Sequence, residues 1–294
     1  MLPLTVLERI PGEIEDISLI LLNHMDTNEL LQRYRAGERN FRGANLKGVN
    51  LTSVQLTGAN LLGADLSHTD LRGANLIDAD LSSTDLSSAN LSGANLKNAN
   101  LSGVNLKGAD LRHTFLITAD LRGADLSDAN LIDADLGGTN LSRVNLKGVN
   151  VSRANLSGAN LFGADLSGAN LFGSDLSGAF LIGAELSDTD LSGVNFSGAD
   201  LRGANLSGVN LKGADLFGVD LSGANLTGAN LIGANLSHTN LSHANLKNVD
   251  LKVAQVENAR FEDSVGLSEE TKRDLQRRGA IVDETPDLTV SEVG

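Results

Sequence analysis

Ala44-Asn45-Leu46-Lys47-Gly48-Val49-Asn50-Leu51 opens a pattern that runs in one unbroken phase to Asp250-Leu251. Leucine recurs every fifth residue, with a small residue two before it and Asn or Asp just before it. At a step of five, Phe41 to Phe261 gives 45 central positions, of which forty are Leu. The exceptions, Phe41, Val151, Phe196, Val256 and Phe261, are all apolar. A period of five fits neither regular element. On an α-helix it winds the leucines around the axis, and on a strand it sends alternate leucines into water. A chain that buries every fifth residue must change direction once per repeat, and stacked repeats of fixed period make a solenoid.

The flanking positions fit that reading. From Ala44 to Ala259 the residue two before the centre is Ala, Val, Thr or Ser, which suits a second inward position in a tight interior. Asn or Asp precedes the centre at 39 of the 45 sites, with Gln55, Phe115, Phe180, Glu185, Gln255 and Arg260 departing. Such short polar side chains bond to nearby backbone in turns. Two residues after the centre stands Gly most often, which tolerates positive φ; elsewhere the slot holds mostly Ser, Asn, Asp, His or Arg. This mixture predicts two turn geometries along the stack.

The run A(D/N)LxG resembles the pentapeptide-repeat family over about three quarters of the chain. The resemblance implies an all-β solenoid, a right-handed quadrilateral β-helix of four pentapeptides per coil. About eleven coils at roughly 4.8 Å each then form a rod on the order of 50 Å long. Members are especially numerous in cyanobacteria, so a cyanobacterial-type protein is implied.

The organisation expected is residues 1–40 as an N-terminal helical cap or docking segment, 41–265 as the β-helix, 266–282 as a C-terminal capping helix, and 283–294 as a flexible acidic tail. Glu13 to His24 carries Ile14, Ile17 and Leu21 at helical spacing. Asp26 or Thr27 starts a second helix through Leu30, Leu31 and Tyr34, with Gly37 beyond its end. Ser268 to Gly279 has a Ser cap, acids in the first turn and Arg277 and Arg278 in the last. Open β-helix ends expose strand edges, so short α-helical caps at both have a physical reason to exist.

Among 294 residues, 41% are hydrophobic but only 3% aromatic, which implies a narrow layered core. The formal charge of −14 argues against direct binding of nucleic acid or an anionic membrane. There is no Cys, hence no thiol chemistry, and no stretch approaches the ~20 apolar residues of a membrane span. A cytoplasmic protein is expected, monomeric or weakly dimeric.

Neither catalysis nor a cofactor or metal is expected. No phosphate loop, nucleophile elbow or HExxH motif occurs. Asp pairs recur only because the repeat places them, and a convex rod without insertions offers no cleft. His68, His113, His238 and His243 sit at the turn position, and a metal pair at His238 and His243 is the weaker reading.

Two surfaces stand out. Sorting positions by the four faces puts Phe162 and Ile182, twenty residues apart, in one column of face one. Phe180 replaces the usual Asn or Asp beside Ile182, and Arg122 and Arg202 stand in the same column. This is the expected partner-binding patch, on a wider set of outward apolar residues (Leu62, Ile77, Ile117, Ile132, Phe172, Phe217 and Ile232). Face two is the most acidic, through Asp125, Asp128, Asp165, Glu185 and Asp188, although Lys47, Lys107, Lys147 and Lys247 dilute it. The resemblance extends to members that mimic B-form DNA and bind DNA gyrase. Against that reading, the centres are Leu where gyrase-directed members carry more Phe, no loop projects, and a charged helix replaces a C-terminal dimer interface. The function expected is a non-catalytic protein-interaction scaffold, with DNA mimicry toward gyrase or another DNA-binding protein as the alternative.

Overall fold

The computed structural model describes residues 24–283. The helix expected over 13–24 lies, apart from His24, outside the described residues, as does all of the tail but Asp283.

The residue before each centre forms a parallel bridge with its counterpart twenty residues later, as in Asn45↔Asp65, Asp65↔Asp85 and Asp85↔Asn105. Twenty residues therefore make one coil, and each coil contains four turns. Each turn closes when the amide three residues after a centre donates to the centre's carbonyl, as Ala44 does to Phe41 at 3.1 Å and Ala59 to Leu56 at 3.0 Å. Four bends per coil give a quadrilateral cross-section. Faces one to four carry the centres Leu61, Leu66, Leu71 and Leu76 and their counterparts every twenty residues.

Burial follows the repeat. The central leucines are almost all 0–2% exposed, and the small residues two before them are buried beside them. Burying one such leucine contributes about 1.5–3 kcal/mol. Where Thr takes the small position, its hydroxyl still finds a partner. Thr69, Thr84 and Thr139 donate to the carbonyls of Leu46, Leu61 and Leu116 at 3.1, 3.0 and 2.8 Å. The polar column before the centre holds the turn: Asp or Asn Oδ1 accepts the amide two residues on, as Asp165 does from Ser167 at 3.0 Å.

The stack has one turn conformation where the sequence predicts two. Every residue two after a centre has positive φ, from 49° at Val253 to 71° at Gly208, whether or not it is glycine. The reason lies in the ladder. Along most of the rod that residue's amide donates to the next coil, as in Gly43 to Leu62 (3.0 Å), His68 to Ser87 (2.9 Å) and Arg143 to Phe162 (2.8 Å). A second geometry would break the bond, so Asp, His, Asn and even the β-branched Thr118 are held in the left-handed region.

Two helices flank the coils. In α1 (Thr27–Arg35) Asp26 accepts the Glu29 amide at 2.8 Å, and Leu30 is fully buried. Thr27 Oγ1 and the Tyr34 hydroxyl donate to the carbonyls of Asn50 (2.7 Å) and Thr57 (2.9 Å), backbone acceptors at the first coil. In α2 (Glu269–Arg277) Ser268 accepts the Thr271 amide, and Leu275 is buried. Beyond α2, Ile281 bridges Arg260 and accepts from the Phe261 amide at 2.8 Å.

Candidate interaction surface

On face one, Leu161 and Leu181 point inward, and their neighbours on either side point outward. Asn160 and Phe162 in one coil therefore lie beneath Phe180 and Ile182 in the next. The register is fixed by the Asn160↔Phe180 bridge and by the Gly163 amide donating to the Ile182 carbonyl at 3.0 Å. Phe162 is 45% and Phe180 51% exposed. Ile182 is half-buried rather than exposed. Leu62, Ile77, Ile117, Ile132 and Ile232 are half-buried for the same reason, because a flexible aliphatic chain lies along the coil surface. A Phe ring at this position is too large to do so, and Phe172 and Phe217 are also exposed, at 52% and 50%. These two sit on faces three and four, and Phe217 packs edge-on against His238 with centroids 5.2 Å apart. The apolar groups therefore do not form one field, and face one carries the only place where two exposed rings and an aliphatic side chain adjoin among the described residues.

A depression of about 430 Å³ adjoins Phe162, lined by Arg122, Gly123, Ser142, Arg143 and Asn160. Arg143 is a wall that the sequence pattern does not single out. A signal for it exists, since Arg143 stands twenty residues before Gly163, whose missing side chain leaves room for the arginine stem. The other two arginines are held by carboxylates. Arg122 pairs with Asp120 at 2.6 Å and Arg202 with Asp200 at 2.7 Å. Hydrogen bonds from Arg202 hold the Asp200 carboxyl below the ordinary aspartate range. At Asp120 burial pushes the carboxyl up, and the bonds from Arg122 more than offset it. Both rims of the patch are thus clamped, polar and charged, around an apolar centre.

Face two shows what its acids do. Asp125 accepts from the Ser127 amide (3.0 Å) and from Asn145 Nδ2 (2.9 Å). Asp165 accepts from the amide and hydroxyl of Ser167 at 3.0 and 2.6 Å. Glu185 accepts from Asn205 Nδ2 and, more weakly, from the Ser187 amide at 3.4 Å. These three are half-buried turn acceptors, while Asp128 and Asp188 are exposed at positive φ. The structure places all five on one side, with exposed Lys47, Lys107 and Lys147 among them.

The turn histidines lie on the surface, His113 and His243 facing Asp133 and Asp263 at 3.9 and 3.7 Å. Among the described residues, no group of three or more His, Asp or Glu is placed to hold a metal ion, and no helix is long and apolar enough to cross a membrane.

A sequence model for pentapeptide repeats matches the chain in successive stretches between residues 40 and 263, including 40–73, 64–103, 99–138, 139–178, 184–223 and 224–263. Among solved structures, the chain is similar to HetL, a pentapeptide repeat protein involved in heterocyst differentiation regulation from the cyanobacterium Nostoc sp. strain PCC 7120. The identity is 35%, over 81% of this chain and 98% of that one, with a TM-score of 0.54. It is also similar to Rfr23, a pentapeptide repeat protein from the cyanobacterium Cyanothece 51142, at 31% identity over 45% of this chain and 90% of that one, TM-score 0.27. Full-length QnrB1, a plasmid-mediated fluoroquinolone resistance protein, matches at 16% identity over 78% and 96% of the two chains, TM-score 0.35. The curated proteins compared contain no match.

Proposed function

The chain belongs to the pentapeptide-repeat family, whose members fold as right-handed quadrilateral β-helices, and from that premise we propose that it is a non-catalytic scaffold that docks a protein partner on face one. The observation that carries this reading is the adjacency of exposed Phe162 and Phe180 around Ile182, rimmed by ion-paired arginines. Apolar side chains inside a polar rim are the usual anatomy of a docking site. Rigid presentation helps: a side chain on a fixed coil loses little further freedom on binding.

In this reading α1 and α2 close the two ends of a stack of about eleven coils, satisfying backbone groups that would otherwise invite end-to-end growth. The protein then works as a cytoplasmic monomer or weak dimer. DNA mimicry is the second reading, and the observation in its favour is the bridged pair Asp165↔Glu185, two acids stacked in one column. Their engagement in turns and the lysines interleaved on face two weigh against it. A pull-down from native lysate with wild type beside Phe162→Asp/Ile182→Asp tests the proposal. A partner captured by wild type and lost by the double variant supports it. Recovery of gyrase by both proteins, collapsing with salt, overturns it in favour of the acidic rod.

A further inference from the structure

Short of its C-terminal end, the ladder that holds successive coils together is complete along the rod except at one seam. Between the coil from Leu186 to Asn205 and the coil from Leu206 to Asn225, the bonds are stretched and weak on faces three and four. The amides of Leu191, Gly193, Phe196 and Gly198 facing upward, and those of Asn210 and Asp215 facing downward, fall outside good hydrogen-bond geometry, as does the neighbouring Asp188 amide. The same positions one coil below are intact (Leu171 to Asp190, 3.0 Å; Leu176 to Asn195, 2.8 Å), as they are one coil above (Leu211 to Asn230 and Leu216 to Asn235, both 2.9 Å). Faces one and two stay closed across the seam, through Leu201 to Asp220 at 2.8 Å and Leu186 to Asn205 at 2.8 Å. Register is kept, since Asp190↔Asn210 and Asn195↔Asp215 remain bridged.

A second observation agrees. Residues in the column before the centre are half-buried along most of the rod, but Asp190, Asn195, Asn210 and Asp215, on either side of the seam, are all exposed. The interior does not open, for Val194, Val209, Leu211 and Leu216 remain 1–2% exposed.

The cause is volume. Phe196 is the one aromatic centre between the two ends of the repeat, fully buried in a column where Leu176 and Leu216 stand below and above. Thr189, Val194 and Val209 crowd the small positions around it, where Ala is commonest. Val144 and Val149 crowd another coil in the same way, but there the centre Val151 is smaller than Leu and the ladder closes, with Val151 to Asn170 at 2.9 Å. At Phe196 nothing compensates. An overfilled core must move its backbone, and in a solenoid the softest response is to open a single inter-coil interface.

We propose that this seam is a built-in hinge: Phe196 wedges faces three and four apart, and the C-terminal coils pivot about the closed edge formed by faces one and two. The docking patch lies on that closed edge, separated from the seam by one coil. Bending therefore changes the angle between the patch and the C-terminal coils without disturbing the patch itself. The stretched bonds across faces three and four hold these coils less firmly than those elsewhere in the rod, which lowers the resistance to opening.

The absence of native cysteine permits site-specific spin labelling. Nitroxide pairs at Lys97 and Ser237 span the seam on face four, and pairs at Ser102 and Ser222 span it on face one. Pulsed electron resonance is expected to give a broad distance distribution on face four and a narrow one on face one. Phe196→Leu, which installs the residue found at forty centres, is expected to narrow the face-four distribution to the width seen on face one. In parallel, hydrogen exchange over 188–198 and 207–217 should run at least about tenfold faster than over 168–178 and 227–237, and Phe196→Leu should abolish the difference. Equal widths on both faces in wild type, or seam amides as protected as their neighbours, overturn the hinge. So does a Phe196→Leu variant that leaves either readout unchanged.

Discussion

Asp165 and Glu185 stand one above the other on face two, paired across a single parallel bridge, and both carboxylates are engaged with the backbone of their own turns. The acidity of this face is thus first a consequence of how the turns are built. Replacing Asp165 by Ala removes the acceptor for the amide and hydroxyl of Ser167 and is expected to cost about 1–2 kcal/mol in urea unfolding. Asp165→Asn keeps the acceptor and relieves the repulsion with Glu185, so it should be neutral or slightly stabilising.

The interior obeys the solenoid rule that each coil is held by its neighbours. Leu126→Ala leaves a cavity in a column of fully buried leucines, and a loss of about 2–5 kcal/mol is expected in denaturant melts. Ser127→Ala, one residue on and half-buried, should change stability by less than about 0.5 kcal/mol.

Val253 is held at φ 49° with 77% of its surface exposed, a left-handed conformation that a β-branched residue adopts only under constraint. Val253→Gly is expected to stabilise the chain by roughly 1 kcal/mol, measured by calorimetric melting. Thr118 shares the conformation but donates its hydroxyl to Asn98 or to the Ile117 carbonyl. Thr118→Gly should gain less, because it relieves strain and loses those bonds together.

Acid should weaken the rod in a particular way. Hydrogen bonds from Arg112 and Arg202 hold the carboxyls of Asp110 and Asp200 below the ordinary aspartate value of 3.8. A depressed carboxyl contributes stability that is present above 3.8 and is lost as pH falls through the lower folded value. Melting temperature should therefore be flat from neutrality down to about pH 5 and fall below about pH 4. Asp200→Asn should lie below wild type at neutral pH and approach it in acid.

Much of this architecture is legible in the chain because one short period dictates it. Leu46, Leu51 and every fifth residue after them must face inward, which alone demands a bend per repeat, and the twenty-residue columns then place Phe162 under Ile182. The turn class is less legible. Gly at position 48 and His at 68 suggest different conformations locally, but the ladder bond imposes one on both. The outward position of Ile182 suggests exposure, yet an aliphatic chain can fold along a coil surface while the Phe162 ring cannot. Arg143 escapes a column-by-column reading because it belongs to a neighbouring column. The parted seam at Phe196 depends on how its volume sums with Thr189, Val194 and Val209, residues from two neighbouring columns and successive coils. That sum emerges only when the coils are stacked.

The central claim is that face one, through its apolar centre, is where a partner docks. The most direct measurement is a binding titration of the captured partner against wild type, Phe162→Asp/Ile182→Asp and Asp128→Asn/Asp188→Asn, each at low and high salt. Docking on face one predicts at least about a tenfold loss for the apolar double variant, little change for the acidic one, and weak salt dependence. An unchanged affinity for Phe162→Asp/Ile182→Asp, with binding that falls steeply in salt and in Asp128→Asn/Asp188→Asn, would contradict the claim and make face two the binding surface.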